Sequence, residues 1–161
     1  MKKILLLISV SLLLLTGCSD GIPEKISDKA ASTTKLTQVK PSYVVELIES
    51  KASFIFYFGN SWCTACQFMK DVNNEVVVKG NLPIYYIEMD KTSTKQLNMI
   101  FKYVIRPQVT PTYIIVKNGI VMESFTPEVI VGDDLDLNPD HIQQYATTFI
   151  ALLKTKGLIA Q

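Results

Sequence analysis

Cys63 and Cys66, separated by two residues, are the side chains whose type and spacing point most directly to chemistry. A Cys-x-x-Cys pair can exchange disulfides when its first sulfur becomes a thiolate, because the thiol form is a poor nucleophile. A Cys in the first turn of a helix meets free backbone N–H groups and the positive end of the helix dipole, which both favour a negative sulfur. The second Cys then lies one turn later on the same face. We therefore assign Cys63 as the candidate nucleophile and Cys66 as the candidate resolving thiol.

A metal site and an inert bridge are the alternatives for this pair. Structural zinc has four ligands, usually from two pairs of residues. The sequence offers one close Cys pair, and its single histidine, His141, lies far along the chain in a predicted helix. An inert bridge across a two-residue loop would add little stability. We therefore favour chemistry, and expect no metal and no cofactor beyond a redox-active Cys63–Cys66 disulfide.

Hydrophobic patterning predicts alternating strands and helices. The run Phe54–Phe58 is too short for a helix and apolar on both faces, which is typical of a central strand covered on two sides. The Asn118-Gly119 pair is a strong hairpin signal. The predicted order, β-α-β-α-β-α-β-β-α, gives an α/β fold with a central mixed sheet of about four to five strands and helices on both faces. The predicted segments are Leu36–Val39, a helix from Pro41, Phe54–Phe58, a helix at Cys63, Ile84–Met89, a helix capped by Thr92 or Ser93 with its apolar stripe reaching Val104, Tyr113–Val116, Ile120–Met122, and a helix from Asn138 to Gly157.

The N-terminus has the pattern of an export signal. Met1-Lys2-Lys3 precedes an apolar run, Ile4–Leu15, which is shorter than the roughly 20 residues of a membrane span. The following Leu15-Thr16-Gly17-Cys18 resembles a bacterial lipobox, in which lipid is attached to the Cys. We predict a signal peptide over 1–17, a lipid-anchored flexible tether over 18–38 and one domain over 39–161. An ordinary signal peptide with an incidental Cys and an uncleaved anchor are the alternatives.

Charge predicts no nucleic-acid partner. Without residues 1–17 the chain carries 14 basic and 15 acidic side chains, so it is almost neutral.

Two separated motifs resemble the thioredoxin superfamily over about Leu36 to the C-terminus. The first runs from Phe56 to Cys66 and includes Trp62, and the second comprises Tyr103–Arg106, Val109–Tyr113 and Val116–Gly119. The resemblance implies that Pro111 is a cis-proline beside the cysteines, that the backbone of Thr110 pairs with an extended substrate and that Trp62 shapes the rim. A plain strand-entry proline is the alternative for Pro111.

The chain departs from the family at the position of a buried aspartate that transfers a proton to the second Cys. Tyr57 stands there. Glu88 is a candidate substitute for proton transfer if it points toward the sulfurs, and a strand-end carboxylate in water is the alternative. No charged residue adjoins Cys63 in the sequence, so we expect helix N-terminal groups to govern its thiolate.

Two loops also differ from the family pattern. Pro107-Gln108 lengthens the approach to Pro111, which is expected to reshape the substrate groove. Phe125–Leu137 is an extra acidic loop, either a partner-recognition element or a solvated bulge.

These features predict an extracytoplasmic thiol–disulfide oxidoreductase anchored to the bacterial cell membrane. Its partners would be exported cysteine-containing proteins or peptides and a membrane redox partner. The direction of electron flow is left open. Within this class the sequence also resembles thioredoxin-like bacteriocin transport accessory proteins. A non-catalytic binding or chaperone lipoprotein is the alternative from another class, and a thiol peroxidase is disfavoured because both cysteines belong to the Cys-x-x-Cys pair.

Overall fold

The computed structural model describes residues 35–127 and 138–159, which form alternating strands and helices. The order is the one that the hydrophobic pattern predicts. The strands are β1 (Thr37–Gln38), β2 (Phe54–Gly59), β3 (Ile84–Glu88), β4 (Thr112–Lys117) and β5 (Ile120–Phe125). The helices are α1 (Pro41–Glu49), α2 (Thr64–Gly80), α3 (Thr94–Ile100) and α4 (Pro139–Thr155), with a short 3-10 helix at Met89–Lys91.

The five strands form one mixed sheet in the order β1-β3-β2-β4-β5. Strands β1, β3 and β2 are parallel, whereas β4 is antiparallel to β2 and β5 is antiparallel to β4. In the parallel pair β2–β3, Gly59 is the register partner of Glu88, so both strands end at the same edge. The predicted mixed α/β sheet is confirmed.

Strand β2 is central because both of its faces are covered. All six of its residues are buried. Phe54, Phe56 and Phe58 face a core with α1 and α3. Ile55 and Tyr57 face a second core with α2 and α4. A run that is apolar at every position therefore suits this strand, since neither face meets water.

A stack of four aromatic rings crosses the second face of the sheet. Tyr86, Tyr57, Tyr113 and Phe125 are successive register partners on β3, β2, β4 and β5. Their ring centroids are separated by 5.6, 4.9 and 5.5 Å, with nearly parallel planes. Such cross-strand pairs stabilise a sheet and fix its register.

The β4–β5 hairpin turns at Asn118 and Gly119, as predicted. Both residues have positive φ, 52° and 75°, the conformation of the two-residue turns that suit a hairpin. The N–H of Gly119 donates to the carbonyl oxygen of Ala52 at 2.9 Å, which ties the turn to the start of β2.

Helix α3 is shorter than its apolar stripe indicates. The helix ends at Ile100, and Val104 is buried in the turn that follows. Apolar residues three or four positions apart therefore indicate here that one side of the segment is buried, and they do not show that the helix continues. The chain leaves the helix because it must reach Pro107 and β4.

Several predicted segments lie outside the described residues. They are the signal peptide over 1–17, Cys18 with the tether as far as residue 34, and residues 128–137 of the extra loop. Of the helices in the described ranges, none combines the length and the apolar character needed to cross a membrane.

Candidate active site

Cys63 and Cys66 form a disulfide at the start of α2, with their Cα atoms 5.2 Å apart. Cys63 has extended backbone angles and is the N-cap of the helix, and its Sγ accepts the backbone N–H of Cys66 at 3.1 Å. This sulfur therefore sits where free N–H groups and the helix dipole favour negative charge. The two cysteine residues are unequally exposed, Cys63 at 8% and Cys66 at 1%, and only Cys63 of the two lines a surface groove. Cys63 is the sulfur that an incoming substrate can reach.

The second predicted motif meets the cysteines in space. The Thr110–Pro111 peptide bond is cis. The carbonyl oxygen of Thr110 lies 3.4 Å from Sγ of Cys63. The side chain of Asn60 donates to Oγ1 of Thr110 at 3.4 Å, which joins the loop before the cysteines to the proline loop. The structure thus places Thr110 and Pro111 beside the nucleophile.

A shallow groove of about 350 Å³ opens beside Cys63. Trp62 on its rim is 73% exposed, and Val109 on the proline loop is 58% exposed. Pro107 and Gln108, which precede the cis-proline, both line it. Apart from Cys63 itself, none of its lining side chains is ionisable. The lining residues are Asn60, Trp62, Cys63, Met89, Pro107, Gln108, Val109 and Thr110.

A carboxylate that sequence analysis missed lies beside the loop that leads to Cys63. Asp90 accepts the backbone N–H of Ser61 at 3.0 Å and also contacts its hydroxyl. The hydrogen bond from the Ser61 side chain is the largest of the effects that hold the pKa of Asp90 below its usual value. The expectation that helix N-terminal groups govern the Cys63 thiolate stays a prediction, and Asp90 is a charged group beside the same loop. Since β2 and β3 end at one edge, polar residues just after both strands were the signal for this contact.

Glu88 is buried, with 4% of its surface exposed, which overturns the alternative of a strand-end carboxylate in water. Its carboxylate pairs with Lys70 at 3.5 Å and with Lys91 at 3.2 Å, and it accepts a hydrogen bond from Gln38 at 3.2 Å. These partners account for its burial as an ion. Across the described ranges, no hydrogen bond joins it to either sulfur.

Glu88 nevertheless lies on the face of the sheet that holds Cys66. Its register partner is Gly59, and in-register residues of parallel strands project to the same side. A Cβ built on Gly59 would lie 3.6 Å from Sγ of Cys66. Lys70, which pairs with Glu88, follows Cys66 by one helical turn.

Tyr57 stands where the sequence resemblance implies an aspartate, and it supplies no carboxylate there. The side chain is fully buried, and burial raises the pKa of its hydroxyl far above the usual value, so it remains protonated. The hydroxyl lies near Asn73 but has no hydrogen-bond partner. By contrast, Asn73 donates to the hydroxyl of Tyr113 at 2.7 Å.

The described part of the chain contains no cluster of three His, Cys, Asp or Glu side chains arranged to hold a metal ion. His141 is exposed on α4, in an element separate from the cysteines.

Comparison with known proteins identifies the fold. No protein-family model matches the sequence, and no curated protein matches it. Solved structures do match. A chain in the complex of ferredoxin:thioredoxin reductase and thioredoxin f2 is 13% identical, with a TM-score of 0.51 over 76% of this chain and 96% of that one. Oxidised thioredoxin O1 from Arabidopsis thaliana is 20% identical, with a TM-score of 0.49 over 75% of this chain and 96% of that one.

The strand order, the helices on both faces and the match to the complex show that the chain has a thioredoxin-like fold. Within this fold, the Cys63–Cys66 pair at the start of α2 has the spacing and the position that thiol–disulfide exchange requires.

We expect the hydroxyl groups of the two buried tyrosines to differ in their contribution to stability. Tyr113→Phe leaves the N–H of Asn73 unpaired in the core, so we expect a loss of about 1–3 kcal/mol in the free energy of unfolding. Tyr57→Phe removes a hydroxyl without a partner, so we expect a change within about 0.5 kcal/mol or a slight gain. Urea unfolding of both variants measures the difference. An equal loss of unfolding free energy in the two variants would contradict the assignment of the Asn73 hydrogen bond to Tyr113.

Proposed function

We propose that this protein is a membrane-anchored, extracytoplasmic oxidoreductase that exchanges disulfides with exported proteins or peptides. The observation that carries the proposal is the position of the Cys63 sulfur, at the mouth of α2 and 3.4 Å from the Thr110 carbonyl oxygen. A reactive sulfur, a resolving sulfur behind it and an open groove beside it are the parts that the reaction needs.

In the reducing direction the thiolate of Cys63 attacks one sulfur of a substrate disulfide. The substrate S–S bond breaks, its other sulfur leaves as a thiolate and is protonated, and a mixed disulfide forms on Cys63. Cys66 then loses its proton and attacks the Cys63 sulfur, which releases the second substrate thiolate and forms the Cys63–Cys66 disulfide. Once this second thiolate is protonated as well, the substrate has gained two electrons and two protons.

The opposite direction uses the same atoms. A substrate thiolate attacks the Cys63–Cys66 disulfide, and a second substrate thiol releases an oxidised substrate and leaves both cysteines reduced. In either direction a separate thiol or disulfide partner must reset the pair. A membrane redox protein or a small thiol has the required chemistry.

Trp62, Thr110 and Pro111 are proposed to bind substrate. An extended substrate segment can pair with the backbone of Thr110, and the exposed ring of Trp62 supplies apolar contact at the groove rim. Because no ionisable side chain other than Cys63 lines this groove, its contacts favour uncharged residues next to the substrate cysteine.

The proposed location rests on sequence alone. A basic start, the apolar run Ile4–Leu15 and the lipobox-like Leu15–Cys18 support export with lipid attachment at Cys18. Lipid would hold the domain at the outer face of the cell membrane. The resemblance to bacteriocin transport accessory proteins would direct the same chemistry toward secreted disulfide-containing peptides.

Replacing each cysteine by serine tests the enzymatic role. Cys63→Ser removes the nucleophile, and we expect reduction of a fluorescent disulfide peptide by the chain with dithiothreitol to fall to background. Cys66→Ser keeps the first attack but cannot resolve it, so we expect the mixed disulfide on Cys63 to accumulate and to be visible by mass spectrometry.

The same variants distinguish the alternative function, a binding or chaperone lipoprotein that uses the fold as a scaffold. Tyr57 in place of the aspartate and the longer proline loop favour that alternative. If Cys63→Ser supports export or folding of client proteins as well as the parent does, the binding function is correct and the enzymatic proposal is wrong.

Glu88 is proposed to accept the proton of Cys66, since it is the only carboxylate buried in the part of the chain that the structure describes. We expect Glu88→Gln to slow the resolving step by about a hundredfold, the lower end of the contribution of general base catalysis. Glu75→Gln, which removes an exposed carboxylate paired with Lys79, is the matched control. Rapid-quench kinetics of mixed-disulfide decay measures the step. Equal rates for the two variants would exclude Glu88 from proton transfer.

Membrane attachment is tested at Cys18. We expect Cys18→Ser to abolish incorporation of labelled palmitate and to release the chain from sedimented membranes, whereas Cys63→Ser keeps both properties. Palmitate labelling of Cys18→Ser at the parental level would contradict the lipid site.

A further inference from the structure

Three polar groups of Ser61 are held by two side chains from different parts of the fold. Asp90 accepts the Ser61 backbone N–H at 3.0 Å and contacts its hydroxyl through the other carboxylate oxygen. Gln67, in the first turn of α2, donates from its side-chain amide to the Ser61 carbonyl oxygen at 2.9 Å. We call these contacts the Ser61 clamp. It fixes the peptide groups on both sides of the residue that leads into Trp62 and Cys63.

The carboxylate of the clamp is itself presented by a fixed turn. Asp90 lies in the 3-10 helix Met89–Lys91, directly after β3. The backbone N–H of Thr92 donates to the carbonyl oxygen of Met89 at 3.2 Å. The hydroxyl of Thr92 donates to the carbonyl oxygen of Glu88 at 2.7 Å. The position of Asp90 is therefore set by β3 and not by the loop that it holds.

We propose that Asp90 is a positioning residue for the nucleophile, acting through the Ser61 clamp. This inference rests on the proposed function. Cys63 caps α2 only while its backbone is extended and its sulfur faces the N–H of Cys66, at 3.1 Å. The clamp holds the chain two residues before that sulfur, from β3 on one side and from α2 on the other. When the disulfide is reduced and no longer fixes the sulfur, the clamp keeps it at the helix N-terminus.

A purely electrostatic role for Asp90 would have the opposite sign. A negative carboxylate near the loop disfavours a thiolate, so loss of its charge alone would increase the reactivity of Cys63. Loss of the clamp lets the sulfur leave the helix N-terminus, which decreases its reactivity. Asp90→Asn separates the two effects, because its amide oxygen can accept the Ser61 N–H while its NH₂ donates to the hydroxyl.

The test measures the rate at which iodoacetamide alkylates Cys63 in the reduced full-length chain between pH 5 and 9, with the alkylated peptide quantified by mass spectrometry. We expect Asp90→Ala and Gln67→Ala to react about threefold more slowly than the parent at neutral pH, with the pKa of the Cys63 thiol raised. We expect Asp90→Asn to recover most of the parental rate. Asp71→Ala removes an exposed carboxylate on the same helix and is the control, and thermal unfolding verifies that all variants are folded.

Faster alkylation in both Asp90→Ala and Asp90→Asn would show that Asp90 acts by charge and would overturn the proposal. Parental rates in Asp90→Ala or in Gln67→Ala would overturn it as well. A parental Cys63 that reacts no faster than free cysteine is a different result, because it refutes the proposed enzymatic function itself.

Discussion

The parallel, in-register pairing of β2 and β3 is the constraint on which the site depends. Gly59 and Glu88 end the two strands side by side, so the loops that follow them must be neighbours. One loop carries Cys63 into α2, and the other carries Asp90. The contact between Asp90 and Ser61 and the burial of Glu88 beneath Lys70 both follow from this shared edge. A shift in register would separate the nucleophile from the side chains that hold its loop.

The tyrosine that replaces the family's aspartate belongs to the packing of the sheet. Tyr57 stacks between Tyr86 and Tyr113, and each aromatic pair contributes about 0.5–1.5 kcal/mol beyond the area it buries. A Cβ on Gly59 would approach Cε2 of Tyr57 to 3.1 Å and Sγ of Cys66 to 3.6 Å, so glycine there suits both the ring and the sulfur. Tyr57 thus makes this part of the core a continuous aromatic layer.

Much of this arrangement could be predicted from sequence because its signals are local. The all-apolar β2, the Asn118-Gly119 turn and the Cys63-x-x-Cys66 spacing each report a backbone conformation that neighbouring residues determine. The contact of Asp90 with Ser61 and the burial of Glu88 beside Lys70 and Gln38 depend on groups from distant segments, which no local pattern contains. Val104 shows that a local pattern can also mislead, because an apolar residue at helical spacing can be buried in a turn after the helix has ended. Pairing between distant segments, and not local conformational propensity, therefore limits what the sequence can predict.

The balance of charge around Cys63 comes from two elements with opposite effects. The N-terminus of α2 favours a thiolate and so favours the reduced pair, which makes a disulfide more oxidising. A nearby carboxylate in general disfavours a thiolate, and Asp90 accepts the N–H of Ser61 two residues before Cys63. Neither group belongs to Thr64-Ala65, the dipeptide between the cysteines. The groups that surround Cys63 therefore come from the junction of β2, β3 and α2, outside the two-residue loop between the sulfurs.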